Sequence, residues 1–126
     1  MAENDNIAAV HHWIALHNEE DLTAFGLTYT EDCEAAFAGG EPFHGREAVT
    51  AVEAQLHQLM PGKAARLVSV IADGDLVSVQ AVLYGTLPDS GPYEIHWCSV
   101  MDFKDGLIAR EHVYLDTAQL PVALPA

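Results

Sequence analysis

The sequence predicts an α+β domain in which three helices of the N-terminal half cover one face of an antiparallel sheet. Three observations lead there. Apolar residues recur at helical spacing in three early segments. After Lys63 the texture turns to β, with extended segments over 64–72, 75–87, 93–104 and 107–116. Turn signals separate them at Asp73-Gly74, Pro88-Asp-Ser-Gly-Pro92 and Asp105-Gly106. Short turns join antiparallel neighbours, so these four segments form a meander. Helices followed by a run of strands define the class.

The elements follow in order. Ile7, Val10, Trp13, Ile14 and His17 mark a first helix over 6–18. Leu22, Phe25, Gly26 and Tyr29 repeat the pattern over 20–29. Cys33-Glu-Ala-Ala-Phe37 reads as a short strand closed by Gly39-Gly40, and Glu41-Pro42-Phe43-His44-Gly45 as a small extended piece. A third helix starts near Arg46, buries Val49, Val52, Leu56, Leu59 and Met60, and ends at Pro61-Gly62.

A chain of 126 residues is expected to form a single domain, 1–126, with no internal repeat or linker. With 50% hydrophobic residues it can build a core around a small pocket. Five Lys+Arg against nineteen Asp+Glu leave a net charge of −14. That field repels phosphate backbones and anionic lipid heads, so neither nucleic acid nor a membrane is an expected partner, and a strongly anionic substrate is disfavoured. Cys33 and Cys98 are too few for a disulfide framework and read as small apolar strand residues. The acidic N-terminus has no signal-peptide pattern, and no apolar run approaches a membrane span. A cytoplasmic location follows by default.

Alternation on the last two strands is the most informative step. Over 93–103 the odd positions are Tyr93, Ile95, Trp97, Ser99, Met101 and Phe103; over 107–115 they are Leu107, Ala109, Glu111, Val113 and Leu115. The odd sets are the apolar ones and should face the helices. A three-residue loop, Lys104-Asp105-Gly106, pairs Phe103 with Leu107 and keeps both odd faces together. Register at the Asp73-Gly74 hairpin stays open, because both faces of 64–72 are mixed. Arg110, His112, Tyr114 and Asp116 then form a polar ladder on the outer face, read as a solvated or dimerising surface.

Two polar groups interrupt the inner wall, Ser99 and Glu111. A buried carboxylate is costly unless paired, hydrogen-bonded or hydrated. Desolvation raises its pKa toward the range where it can move protons. The plainer reading is a structural Glu paired with a buried Arg or a tyrosine hydroxyl.

Three stretches carry a family likeness: Trp13-Ile-Ala-Leu-His-Asn18 with Asp21-Leu22; Tyr29-Thr-Glu-Asp32 with Phe43-His-Gly-Arg-Glu-Ala-Val49; and Phe103-Lys-Asp-Gly-Leu-Ile108 with Tyr114-Leu-Asp116. Together, over about 6–117, they resemble the SnoaL-like families of the nuclear transport factor 2-like superfamily. The resemblance implies a curved antiparallel sheet wrapped against three helices, a cone with a central apolar pocket. It also implies a frequent homodimer. Its members include polyketide cyclases, ketosteroid isomerases, limonene epoxide hydrolases and non-catalytic binding modules, so fold alone names no reaction.

The resemblance also implies where catalytic groups would fall. The ketosteroid isomerase tyrosine, base and second acid correspond to Trp13, Phe37 and Ser99. The cyclase histidine and aspartate correspond to Ser99 and Val113. The strand Val77-Ser-Val-Gln-Ala-Val-Leu-Tyr84 has neither the Arg nor the Asp of an epoxide hydrolase. Each named constellation is therefore substituted. What the resemblance leaves is one cavity lined by Trp13, Phe37, Trp97, Ser99, Met101, Glu111 and Val113. His17, one turn after Trp13, is a second polar group there, or simply a histidine at the solvated helix end.

No HExxH, Cys-x-x-Cys or His-x-His pattern suggests a metal, and no cofactor is expected. His96 and His112 on the outer face read as surface or dimer-interface residues. The functional expectation is a cofactor-free acid–base enzyme of the isomerase, cyclase or hydratase type, acting on a small neutral hydrophobic molecule. Glu111 moves the proton, Ser99 donates a hydrogen bond to the substrate oxygen, and Trp13, Phe37 and Trp97 hold the ring system. The alternative is a non-catalytic ligand-binding or dimerisation module of the same fold.

Overall fold

Helix α1 spans Glu3–Glu19, and α2 is the short stretch Leu22–Gly26. Strands β1 (Tyr29–Phe37) and β2 (Phe43–His44) precede α3 (Arg46–Leu59). Then come β3 (Ala64–Asp73), β4 (Leu76–Leu87), β5 (Gly91–Lys104), β6 (Leu107–Leu115) and a 3-10 turn, Thr117–Gln119. This computed structural model describes residues 3–123; the ends of the expected domain, 1–2 and 124–126, lie outside the described residues.

The strands form one open sheet in the order β2-β1-β6-β5-β4-β3. The four-stranded meander β3 to β6 is antiparallel throughout, and β2 is antiparallel to β1. Only the β1–β6 junction is parallel, so the sheet is mixed. The core lies between its concave face and the helices: Val10, Trp13 and Ile14 of α1 and Phe25 of α2 pack with Val77, Val79, Met101 and Ile108.

Tyr29 does not belong to a helix as its spacing predicted. The Asp21 side chain caps α2 by accepting from the Ala24 N–H at 3.0 Å, and the helix stops at Gly26. A Cβ at Gly26 would come within 2.7 Å of Thr50 Oγ1, so α2 and α3 meet too closely there for a side chain. The Ile108 N–H then donates to the Thr28 carbonyl at 2.9 Å, drawing the chain into the sheet at Tyr29. Arg46, at the start of α3, donates from Nη2 to the Tyr29 carbonyl at 2.7 Å.

The apolar stripe of α3 is also corrected. Leu59 is exposed, whereas Glu53, flanked on the inner face by Val49 and Leu56, is buried. Its carboxylate has partners described below, which is what permits the burial.

The last hairpin keeps the expected faces by a different device. Lys104 pairs with Leu107, leaving a two-residue turn whose Asp105 and Gly106 both have positive φ, 52° and 80°. This is the mirror-image turn that suits hairpin twist. Phe103 therefore pairs with Ile108, not Leu107. A bulge that skips Ala109 restores the parity, so Met101 faces Glu111 and Ser99 faces Val113. The other open register closes on Asp73 opposite Leu76. Asn6 of α1 ties that turn down, donating to the Gly74 carbonyl at 3.1 Å and to Asp75 Oδ1 at 3.0 Å. Among the described residues, no helix is long and apolar enough to cross a membrane.

Candidate functional site

Glu111 stands on the concave face of β6, between its ladder neighbours Met101 of β5 and Ala35 of β1, and is 5% exposed. Each carboxylate oxygen accepts one hydroxyl. Tyr29 Oη donates to Oε1 at 2.5 Å, and Ser99 Oγ donates to Oε2 at 2.7 Å. Each hydroxyl in turn accepts from an indole N–H. Trp13 Nε1 lies 3.1 Å from Tyr29 Oη, and Trp97 Nε1 lies 3.1 Å from Ser99 Oγ.

With Glu111 ionised, the direction of these bonds is forced. Indole N–H can only donate. Each hydroxyl therefore receives from tryptophan and passes its own hydrogen on to Glu111. Both oxygens of Glu111 act as acceptors, which suits the carboxylate. Burial works against that form and raises the Glu111 pKa, with Tyr29 and Ser99 opposing the rise. The outcome is a desolvated carboxyl group above its ordinary range. Burial, then the Glu111 charge, push the Tyr29 phenol up as well. Tyr29 is thus a hydrogen-bond donor rather than an acid.

A second polar group sits nearby. Glu53 Oε1 is ion-paired with Lys63, which is 3% exposed. His17 Nδ1 lies 3.3 Å and His57 Nε2 3.4 Å from the same oxygen. Burial alone would raise the Glu53 pKa; His17 and the Lys63 ammonium outweigh it and hold the carboxyl well below the usual range. Burial, then Lys63, lower the pKa of His57.

Both groups open on one cavity of about 110 Å³. Trp13, His17, Phe37, Trp97, Glu111 and Val113 line it. So do Tyr29, Glu53 and Lys63, which the sequence reading did not select. Most of the remaining wall is aliphatic or aromatic, including Phe25, Val49, Leu56, Met60, Leu83 and Ile95. His17 is buried rather than solvated; its ring meets Trp13 edge-on at 4.5 Å and Phe25 at 5.0 Å between centroids.

Two expected pocket residues lie elsewhere. Met101 is wholly buried in the core opposite Val77 and does not line the cavity. Ser99 sits behind the carboxylate, its hydrogen directed to Glu111 and not to a ligand oxygen. Neither Arg46 nor Arg66 holds Glu111: Arg46 bonds the Tyr29 carbonyl, and Arg66 pairs with exposed Glu94 at 3.1 Å. The Arg110–His112 row is on the outer face, where both residues lie 3.4 Å from Glu34. Among the described residues no cluster of His, Cys, Asp and Glu forms a metal site.

Tyr29 escaped the sequence reading because its spacing also fits a helix. Glu53 carried a usable signal, since it falls four residues after Val49 and three before Leu56. Lys63 followed Pro61-Gly62 and looked like a boundary.

A family model described as SnoaL-like domain matches residues 10–111. Several solved structures share the fold. A Jannaschia sp. CCS1 protein, named as a candidate SnoaL-like polyketide cyclase, is 21% identical and superposes with a TM-score of 0.82 over 90% of this chain and 87% of its own. A Catenulispora acidiphila DSM 44928 protein with a ketosteroid isomerase-like fold, in complex with trimethylamine, is 19% identical with a TM-score of 0.80, covering 88% of this chain and 90% of its own. An LEH-like epoxide hydrolase from M. tuberculosis is 18% identical with a TM-score of 0.79, covering 93% of this chain and 86% of its own. The sequence has no match among curated proteins.

Proposed function

We propose an acid–base function from the premise that the chain belongs to the SnoaL-like family. The cavity binds a small, neutral, hydrophobic molecule, and Glu111 acts on it as a general base. One observation carries the reading: a buried carboxylate at the wall of an apolar cavity, with each oxygen fixed by a hydroxyl that an indole orients.

The chemistry follows from that wiring. A desolvated carboxylate is a stronger base than an exposed one. Each oxygen keeps a lone pair beyond the one its hydroxyl partner uses. Glu111 takes a hydrogen from carbon next to a carbonyl; the C–H electron pair becomes a C=C bond and the carbonyl π pair moves to oxygen. Returning the proton to another carbon gives an isomerase, and attack of the enolate on a second carbonyl gives a cyclase. Tyr29 and Ser99 position the base; Trp13, Phe37 and Trp97 pack the ring system.

The test uses β-tetralone, a neutral bicyclic ketone, in deuterium oxide. Wild-type protein should speed deuterium uptake beside the carbonyl, and Glu111→Gln should lose that rate while still binding the ketone. Equal rates for the two proteins would remove Glu111 from the role.

A non-catalytic binding module is the second reading. It is favoured by the fact that both Glu111 oxygens already have protein partners. In that case the wild-type protein binds β-tetralone without accelerating exchange. In either case we propose a homodimer through the outer sheet face that bears His112 and exposed Tyr114, testable by sedimentation.

A further inference from the structure

The proposed base lacks a partner for the oxygen that gains charge. Tyr29 and Ser99 both give their hydrogens to Glu111, and neither is left for a substrate. Among the described residues the cavity has one other strong donor. The Lys63 side chain is 1% exposed, yet among the described residues its ammonium has a single partner, Glu53. An ammonium carries three N–H donors, so two remain. Lys63 and Glu53 both line the cavity that Glu111 lines. His17 lines it too, and its Nε2 is buried with no hydrogen-bond partner among the described residues. Buried polar groups facing an apolar wall are costly unless something pairs with them.

We propose that Lys63, flanked by His17 and held by Glu53, donates to the carbonyl oxygen of the substrate, which is a neutral apolar ketone with an enolisable hydrogen. This rests on Glu111 as the base. Charge decides against an acid. The Lys63 and Glu53 charges compensate each other, Glu111 adds a further acidic group to the cavity, and the chain carries −14. A carbonyl oxygen accepts from the ammonium without bringing a net charge. When Glu111 removes the proton, the electrons arriving on that oxygen meet the ammonium at a buried, largely apolar wall, where a fixed charge stabilises them most. Glu53 orients Lys63 and touches no reacting atom.

The experiment compares β-tetralone with tetralin, its hydrocarbon counterpart, by quenching of tryptophan fluorescence and by the NMR shift of the bound carbonyl carbon. Wild-type protein should prefer the ketone by about tenfold, roughly 1.4 kcal/mol. The Lys63→Met/Glu53→Gln double variant removes both charges and so avoids a stranded buried carboxylate. It should bind tetralin unchanged, lose the ketone preference, and show the carbonyl shift moving toward its value in hydrocarbon solvent. A ketone preference that survives in the double variant, or is missing from wild-type protein, overturns the assignment of Lys63. Deuterium uptake reads Glu111 separately. Ketone preference without uptake upholds the Lys63 subsite and sinks the base; uptake that the double variant leaves unchanged does the reverse.

Discussion

Tyr29 Oη donates to Glu111 Oε1 at 2.5 Å, a contact between residues 82 positions apart in the chain. The parallel β1–β6 junction makes it, by setting Ala35 beside Glu111 and Tyr29 beside Ile108. The register between the two strands shifts between Tyr29 and Glu34, and Tyr29 and Glu111 are both buried on the helix-facing side. The parallel pairing of β1 with β6 therefore assembles the site.

Removing that hydroxyl should be felt twice. Tyr29→Phe deprives Glu111 of one donor and Trp13 Nε1 of its acceptor. Loss of buried partners costs about 1–3 kcal/mol each. We expect the two losses together to cost about 2–6 kcal/mol by urea unfolding. Because the Tyr29 bond lowers the Glu111 pKa, its loss moves the acid limb of the exchange rate against pH upward. An unmoved limb would detach Tyr29 from the base.

The two buried carboxylates should respond oppositely to pH. Folding lowers the pKa of Glu53, so its stabilisation is present above its ordinary value of 4.5 and is lost as pH falls below it. Folding raises the pKa of Glu111, so its contribution is full below 4.5 and is lost as pH rises through the higher folded value. Urea unfolding from about pH 3 to about pH 8 checks both. Glu53→Gln should flatten the acid side of the curve, and Glu111→Gln the side above 4.5.

Much of this was legible because a sheet has a period of two. Parity on β5 and β6 separated Glu111 and Trp97 from the outer Arg110–Asp116 row, and turn residues bounded the four meander strands. What parity cannot see is an offset. The two-residue turn and the skipped Ala109 cancel each other, so the faces came out as expected although the pairing at Phe103 did not. Glu53 and Lys63 were harder to find for a different reason. Each is a charge that alone would signal a surface, and only their mutual contact allows both inside.

Filling the cavity should separate binding from folding. Val113 lines it, half-buried, opposite Ser99. Val113→Phe adds an aromatic ring into about 110 Å³ of space, in place of a side chain that is not tightly enclosed. Overpacking costs about 1–3 kcal/mol in a filled core and less where room exists. We expect urea unfolding close to wild type and no thermal shift with β-tetralone. A normal shift would place the ketone elsewhere.

The ion pair gives the sharpest test of energetics. Lys63 and Glu53 are both buried, so neither charge is tolerable alone. Stranding one member of such a pair costs about 3–5 kcal/mol, while replacing both with uncharged groups is often close to neutral. Lys63→Met should therefore be destabilised by about 3–5 kcal/mol. Adding Glu53→Gln to it should recover most of the loss. His57, 3.4 Å from Glu53 Oε1 and lowered in pKa by burial and by Lys63, gives the Lys63→Met protein a second source of positive charge. Its deficit should then shrink as pH falls and His57 protonates. Chemical denaturation of the single and double variants at neutral and acidic pH reads both effects. A double variant no more stable than the single one would mean that the lysine stem, not its charge, supports the fold.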